Sequence, residues 1–255
     1  MNPSPFSLSG KTILVSGASS GIGQAIAIAI AQQGGEPILT GRDENKLNIT
    51  AAQIQSCTGV KPKCTPFDLH ETEKIPQWMK QNATKWGILS GFVHSAGIHE
   101  TRPIRGLSSE AFARILNLNV IAGSMLLKGF RQKDVSNGGS IVLIASAAAI
   151  KGEPAIHAYT ASKGAILALT RSAAIELAKE NIRVNCIAPS VVRTAMADEL
   201  ELNLDQDQFA NIIAKHPLGI GSPNDIALAT IFLLSNAAKW ITGITLPVDG
   251  GYTAQ

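Results

Sequence analysis

The sequence predicts an α/β domain built on a parallel sheet, and three observations lead there. Short apolar runs alternate with longer segments of helical period along all 255 residues. A glycine-rich stretch, Ser-Gly-Ala-Ser-Ser-Gly-Ile-Gly, falls between the first apolar run and the first helical segment. Hydrophobic residues make up 45% of the chain and charged residues 16%, a balance that supports a large buried core.

Residues 12–15 form a short apolar run and read as a strand. Ile22, Ala25, Ile26, Ala29 and Ile30 then recur at helical spacing until Gly34-Gly35 stops the pattern. A strand at 37–40, a helix at 44–56, a strand at 64–67 and a helix at 71–85 follow, and residues 92–95 begin another strand. Next come a long helix over 109–131, a strand at 140–145, a second long helix over 158–179 and a strand at 183–187. A helix at 224–235 and a strand at 245–248 close the series. Parallel strands need crossovers that travel back across the sheet, so this alternation implies helices on both faces. The expectation is a Rossmann-like doubly wound sheet of about seven parallel strands in one domain spanning 1–255. Residues 190–217 break the rhythm, being far longer than a usual strand-to-helix connection, and read as a substrate lid.

The formal charge of +3 comes from scattered Lys and Arg, with no basic stripe to track a phosphate backbone, so nucleic acid is not an expected partner. Cys57, Cys64 and Cys186 are odd in number and lack a Cys-x-x-Cys pair, which points to free thiols and no metal site. Residues 1–10 show no basic segment followed by an apolar one, and no apolar run reaches the ~18 residues of a membrane span. No membrane partner is expected, and the cytoplasm is the default location.

Gly17, Gly21 and Gly23 follow the first strand and open a helix, the context in which such glycines bind a dinucleotide. They bring the backbone close to a pyrophosphate, which meets the free N–H groups and positive end of the helix. The loop from Gly17 through Ser19, Ser20, Gly21, Ile22 and Gly23 is therefore a candidate cofactor cradle. The second strand ends in Thr40-Gly41-Arg42, where an acid would bond a ribose 2′-OH and an arginine accommodates a 2′-phosphate. Arg42 favours NADP(H); Asp43 beside it keeps NAD(H) possible.

Tyr159 and Lys163 stand at i and i+4 in Tyr-Thr-Ala-Ser-Lys and share a helix face. A cation there is expected to lower the phenol's pKa from its usual value near 10. Ser146 ends the fifth strand at the carboxyl edge, where open α/β sheets bind ligands. This set suits carbonyl reduction by hydride, with the Tyr159 phenol tuned as a proton donor. Asn117 and Asn119, on the long helix before that strand, both remain candidates for a fourth member.

Together these motifs resemble the short-chain dehydrogenase/reductase family, from about Ser9 to Tyr252. The resemblance implies a small-molecule ketone or alcohol substrate and a catalytic set of Ser146, Tyr159, Lys163 and Asn119. It prefers Asn119 for its Asn-Val-Ile-Ala-Gly context and gives it a linking role in proton exchange between Lys163 and solvent. It also implies cofactor contacts at Asp68 and Leu69 (adenine), Ala96 and Gly97, the ribose-binding Lys163 beside Tyr159, and Pro189 and Thr194 (nicotinamide). The tail, Val-Asp-Gly-Gly-Tyr at 248–252, resembles a region that pairs across a tetramer axis in relatives, so a homotetramer or homodimer is expected. Two departures stand out. His94-Ser95 replaces the Asn-Asn of Asn-Asn-Ala-Gly, and Ser190 replaces a glycine after Pro189. His94 reads as a satisfied buried histidine rather than a catalyst. His99, Glu100, Arg102 and Arg105 are charged residues near the cleft mouth, and Ala147, Ala148 and Ala149 leave room for more than a minimal ketone. In the segment 190–217, Met196, Leu200, Leu202, Phe209, Ile212 and Ile213 fit an amphipathic lid helix. A cofactor-binding sensor or scaffold without turnover is the alternative reading.

Overall fold

The computed structural model describes residues 4–194, 197 and 206–255. The strands are β1 (Thr12–Ser16), β2 (Glu36–Thr40), β3 (Lys63–Cys64), β4 (Gly91–His94), β5 (Gly139–Ile144), β6 (Ile182–Pro189) and β7 (Thr245–Val248). They pair in parallel as one sheet in the order β3-β2-β1-β4-β5-β6-β7. The helices are α1 (Gly21–Gln32), α2 (Glu44–Thr58), α3 (Ile75–Trp86), α4 (Ser109–Leu116), α5 (Ala122–Phe130), α6 (His157–Leu177), α7 (Gln206–Ala214) and α8 (Pro223–Leu234). The chain runs outward from β1 to β3, then returns to β4 on the other side of β1. That reversal opens a crevice at the carboxyl ends of β1 and β4, where doubly wound folds hold their ligands.

The strand pleat divides the core. Ile13 and Val15 of β1 point toward the layer of α1, α2 and α8, while Leu14 points toward the layer of α3 to α6. With both faces covered, the central strands read as continuous apolar runs, which is how the sequence shows them. Helix ends follow local chemistry. Asp43 caps α2 by accepting from the Lys46 amide at 3.1 Å, and Gly59 closes it in the left-handed region at φ +74°. Ser222 opens α8 by donating its N–H and O–H to Asp225, ahead of Pro223 in the first turn.

Three elements differ from expectation. The strand expected at 64–67 is only Lys63–Cys64, because Pro66 lacks a ladder N–H; the Thr65 and Phe67 amides still bond Leu39 and Gly41 at 2.9 and 3.0 Å. The helix expected over 71–85 starts with a 3₁₀ turn at Thr72–Lys74, and Pro76 then opens α3. The helix expected over 109–131 is broken by a π turn, Asn117–Ile121. Ser109–Phe130 as a whole is long and apolar enough to cross a membrane, but here Leu118, Ala122, Leu126 and Phe130 are core residues. Of the expected lid, Met196, Leu200 and Leu202 lie outside the described residues, while Phe209, Ile212 and Ile213 belong to α7.

Candidate active site

A cleft of about 1240 Å³ runs along the carboxyl edge of the sheet, from Arg42, Asp68 and Leu69 at one end to Ser146, Tyr159 and Pro189 at the other. Its floor starts where β1 turns into α1. Gly17 has φ +69°, and a Cβ on it would sit 2.8 Å from the Ala96 amide nitrogen. A Cβ on Gly23 would sit 2.2 Å from the Gly17 carbonyl oxygen, so only glycine lets α1 begin this close to the turn. Ser20 stands at the N-cap of α1 without a side-chain bond to the helix amides, and the first turn carries no acid. These amides are thus open to the cleft, an uncapped positive helix end that fits a dinucleotide pyrophosphate. Ser19, Ser20, Gly21 and Ile22 line the cleft with them, and so do Ala96, Gly97 and Thr194.

The His94-Ser95 departure makes a local network. Ser16 pairs with His94 across β1 and β4, and its Oγ accepts from the amides of Ser95 and Ala96, both at 3.2 Å. With its lone pairs so engaged, the Ser16 hydroxyl donates to His94 Nδ1 at 2.9 Å. The imidazole is then neutral, with its proton on Nε2. Burial, followed by the nearby Lys163 charge, holds its pKa down at about 4. His94 Nε2 faces the backbone of Leu118 and Asn119 at the π turn without closing a good hydrogen bond. His94 is buried, as expected from the sequence, but it is satisfied only at Nδ1, which corrects the expectation of a fully satisfied histidine.

At the other end, Arg42 is exposed on the cleft wall. Asp43, its sequence rival, is engaged in capping α2. Asp68 feels burial, which raises its pKa, but hydrogen bonds from the His70 amide and ring, together with the Arg42 charge, bring it below the usual range.

Ser146, Tyr159, Lys163 and Asn119 come together where β4 and β5 end and α6 begins. Ser146, at the end of β5, accepts from the Ala148 amide at 3.2 Å and has its hydroxyl near enough to the Tyr159 phenol to favour the phenolate. Lys163 is buried, donates to the Ile144 carbonyl at 2.8 Å and lies 5.6 Å from the Tyr159 ring centre. Asn119 sits in the π turn and clasps the Ile98 backbone, accepting from its N–H at 2.9 Å and donating to its C=O at 3.0 Å. It also donates to Ser162 Oγ, which in turn donates to the Tyr159 carbonyl. Asn117, the competing candidate, points away and bonds the His70 carbonyl. One expectation is corrected here. Lys163 does not lower the phenol: burial raises the Tyr159 pKa, with the Ser146 hydroxyl only partly opposing it. The same burial brings Lys163 down to about 8, against a small upward pull from Cys186. Desolvation outweighs the charge in this arrangement, because the ammonium points at a backbone carbonyl.

A family profile described as enoyl-(acyl carrier protein) reductase matches residues 17–253. An NADP-dependent (R)-specific alcohol dehydrogenase of Lentilactobacillus kefiri is 33% identical, over 97% of this chain and 98% of that protein. The chain belongs to the short-chain dehydrogenase/reductase family. A 2-dehydro-3-deoxy-D-gluconate 5-dehydrogenase of Escherichia coli K12 is 31% identical over 99% of both chains. Among solved structures, a gluconate 5-dehydrogenase from Burkholderia cenocepacia in complex with NADP and tartrate superposes with a TM-score of 0.90 at 25% identity, over 98% of each chain. This short-chain dehydrogenase/reductase is thus an oxidoreductase of CH–OH and C=O groups that uses a nicotinamide dinucleotide.

Beyond Tyr159 the cleft is bounded by His99, which the sequence placed near the cleft mouth, and by residues that sequence reasoning passed over. His99 meets the Tyr159 ring edge-on, with centroids 4.8 Å apart. Ala155, in the left-handed region at φ +62°, lines the cleft just before α6. Glu153 accepts from the Tyr252 hydroxyl, and His216 stacks on the Tyr252 ring at 4.9 Å. Their common signal is convergence of three loops distant in sequence, which no local motif carries. The charges expected at the cleft mouth largely answer one another, since Glu100 pairs with both Arg102 and Arg114.

Proposed function

We propose that this chain interconverts a small-molecule ketone and its secondary alcohol with NADP(H), using Tyr159 as the general acid and base. The observation that carries the reading is the convergence of the Ser146 and Tyr159 hydroxyls beside buried Lys163, at the end of a cleft that begins at an uncapped helix. When bound, the nicotinamide supplies the hydride for reduction or takes it in oxidation. Ser146 donates a hydrogen bond to the substrate oxygen, where negative charge grows, and Tyr159 gives that oxygen its proton. In the reverse direction Tyr159 removes the hydroxyl proton. Lys163 would hold the ribose of a bound cofactor, and its cation, 5.6 Å from the Tyr159 ring, would favour the phenolate. Asn119 fixes the Ile98 backbone beside Lys163 and supports the path by which the phenolate regains a proton.

In this reading the loop from Gly17 to Gly23 takes the pyrophosphate, Arg42 the 2′-phosphate, Asp68 and Leu69 the adenine, and Pro189 and Thr194 the nicotinamide side. The NADP-dependent relative and the NADP-bound neighbour support the preference for NADP(H), with NAD(H) as the weaker partner. The two ends of the segment 190–217 form the substrate-side wall. Exposed Ile175, Leu218, Leu228 and Trp240 support a homo-oligomer that covers them, a tetramer or dimer.

The test is a panel of ketones and alcohols followed at 340 nm with both cofactors. Wild type is expected to turn over at least one pair, and Tyr159→Phe to lower kcat by about a thousandfold while still binding NADPH. Near-wild-type turnover by Tyr159→Phe would remove the phenol from the mechanism.

A further inference from the structure

Ser190 is the first residue beyond β6, and His216 lies two residues beyond α7. They stand at opposite ends of the long connection, yet Ser190 Oγ and His216 Nε2 are 2.7 Å apart. His216 is 4% exposed and lies nearly parallel to the Tyr252 ring, at 18°. Its Nδ1 is 2.7 Å from the Ile212 carbonyl oxygen. A carbonyl only accepts, so Nδ1 carries the proton, and Nε2 of the neutral ring accepts the Ser190 hydroxyl hydrogen. A backbone bridge between Val192 and Gly221 joins the same two ends a second time, through Arg193 N–H to Gly221 O at 2.9 Å. Ser190, Ile212 and His216 all face the cleft.

We propose that Ser190 and His216 are positioning residues: a side-chain clasp that fixes the substrate-side wall of the cleft relative to Tyr159. A glycine at 190 leaves the wall with the backbone bridge alone. With serine, the hydroxyl sets the ring, the ring sets the end of α7 through Ile212, and the stack on Tyr252 ties both to the chain terminus. The proposal rests on the catalytic reading above for the identity of the wall, but not for the clasp itself.

The experiment compares Ser190→Ala, Ser190→Thr and His216→Phe, the last of which keeps an aromatic ring over Tyr252. Hydrogen exchange of peptides covering 209–219 needs no turnover; it is expected to quicken about fivefold in Ser190→Ala and His216→Phe and to stay near wild type in Ser190→Thr, the change that loss of one net hydrogen bond brings. On a ketone from the panel, KM is expected to rise about fivefold to tenfold in the two clasp-breaking variants, with a smaller change in kcat and an unaltered Kd for NADPH. Unchanged exchange overturns the clasp. Faster exchange with unchanged KM overturns its positioning role, and weakened NADPH binding with normal exchange assigns Ser190 to the cofactor instead. If wild type reduces nothing in the panel while exchange quickens as stated, the proposed activity fails and the clasp stands.

Discussion

Lys163 and His94 are two nitrogen bases buried close together, and the protein avoids charging both. His94 is kept neutral down to about pH 4, whereas an unfolded histidine protonates near 6.5. Between those values the unfolded chain binds the extra proton, so this site's contribution to stability is complete above pH 6.5 and is lost as the pH falls toward 4. The shift corresponds to about 3 kcal/mol. His94→Asn, measured by denaturant unfolding at pH 7 and pH 4.5, is expected to show a flatter pH dependence than wild type, whatever packing it loses at both pH values. An equally steep profile would mean that His94 is not the titrating group. At this scale the sequence named Ser146, Tyr159 and Lys163 as candidates through their combined motifs and the family resemblance, and the structure places the three side by side. The sequence concealed the direction of the Tyr159 shift, because desolvation depends on what surrounds the phenol and not on its neighbour at i+4.

At the scale of elements, the cap of α2 decides the meaning of Arg42-Asp43. Asp43 and Lys46 line the cleft beside Arg42 at the end of β2, but the Asp43 carboxylate is engaged by the Lys46 amide, whereas Arg42 is exposed on the wall. Arg42→Ala is expected to raise the Kd for NADPH about tenfold to a hundredfold and to leave that for NADH nearly unchanged, the worth of a charge-assisted hydrogen bond. Asp43→Ala should instead lower stability by about 1 kcal/mol without reversing cofactor preference. Fluorescence titration and thermal unfolding separate the two outcomes. Periodicity made the strands and helices legible, as did Gly34-Gly35 at the end of the first helix, whereas the close of α2 at Gly59 was not read from the sequence. The π turn at Asn117–Ile121 was not legible, since it inserts a wider turn into an unbroken apolar period. It nevertheless separates Asn117 from Asn119, turning only the latter toward Ile98.

For the whole molecule, the outward-and-back strand order explains why residues from 17 to 194 share one cleft. The alternation of elements revealed that architecture, but not which loops meet beyond Tyr159, because chain direction fixes the sheet edge and leaves long connections free. The outer surface carries the other prediction. Trp240 is 96% exposed and Leu228 54%, an arrangement that water disfavours in an isolated subunit. Light scattering is expected to give a mass that is a multiple of the single chain's, and Leu228→Lys with Trp240→Glu to shift it downward; a monomeric wild type would refute the assembly. Between β1 and β4, finally, the Ser16 hydroxyl is fully committed, since two amides donate to it and it donates to His94 Nδ1. That hydroxyl stitches the end of β1 to the end of β4 at the crevice, a seam made by side chains on top of the backbone ladder.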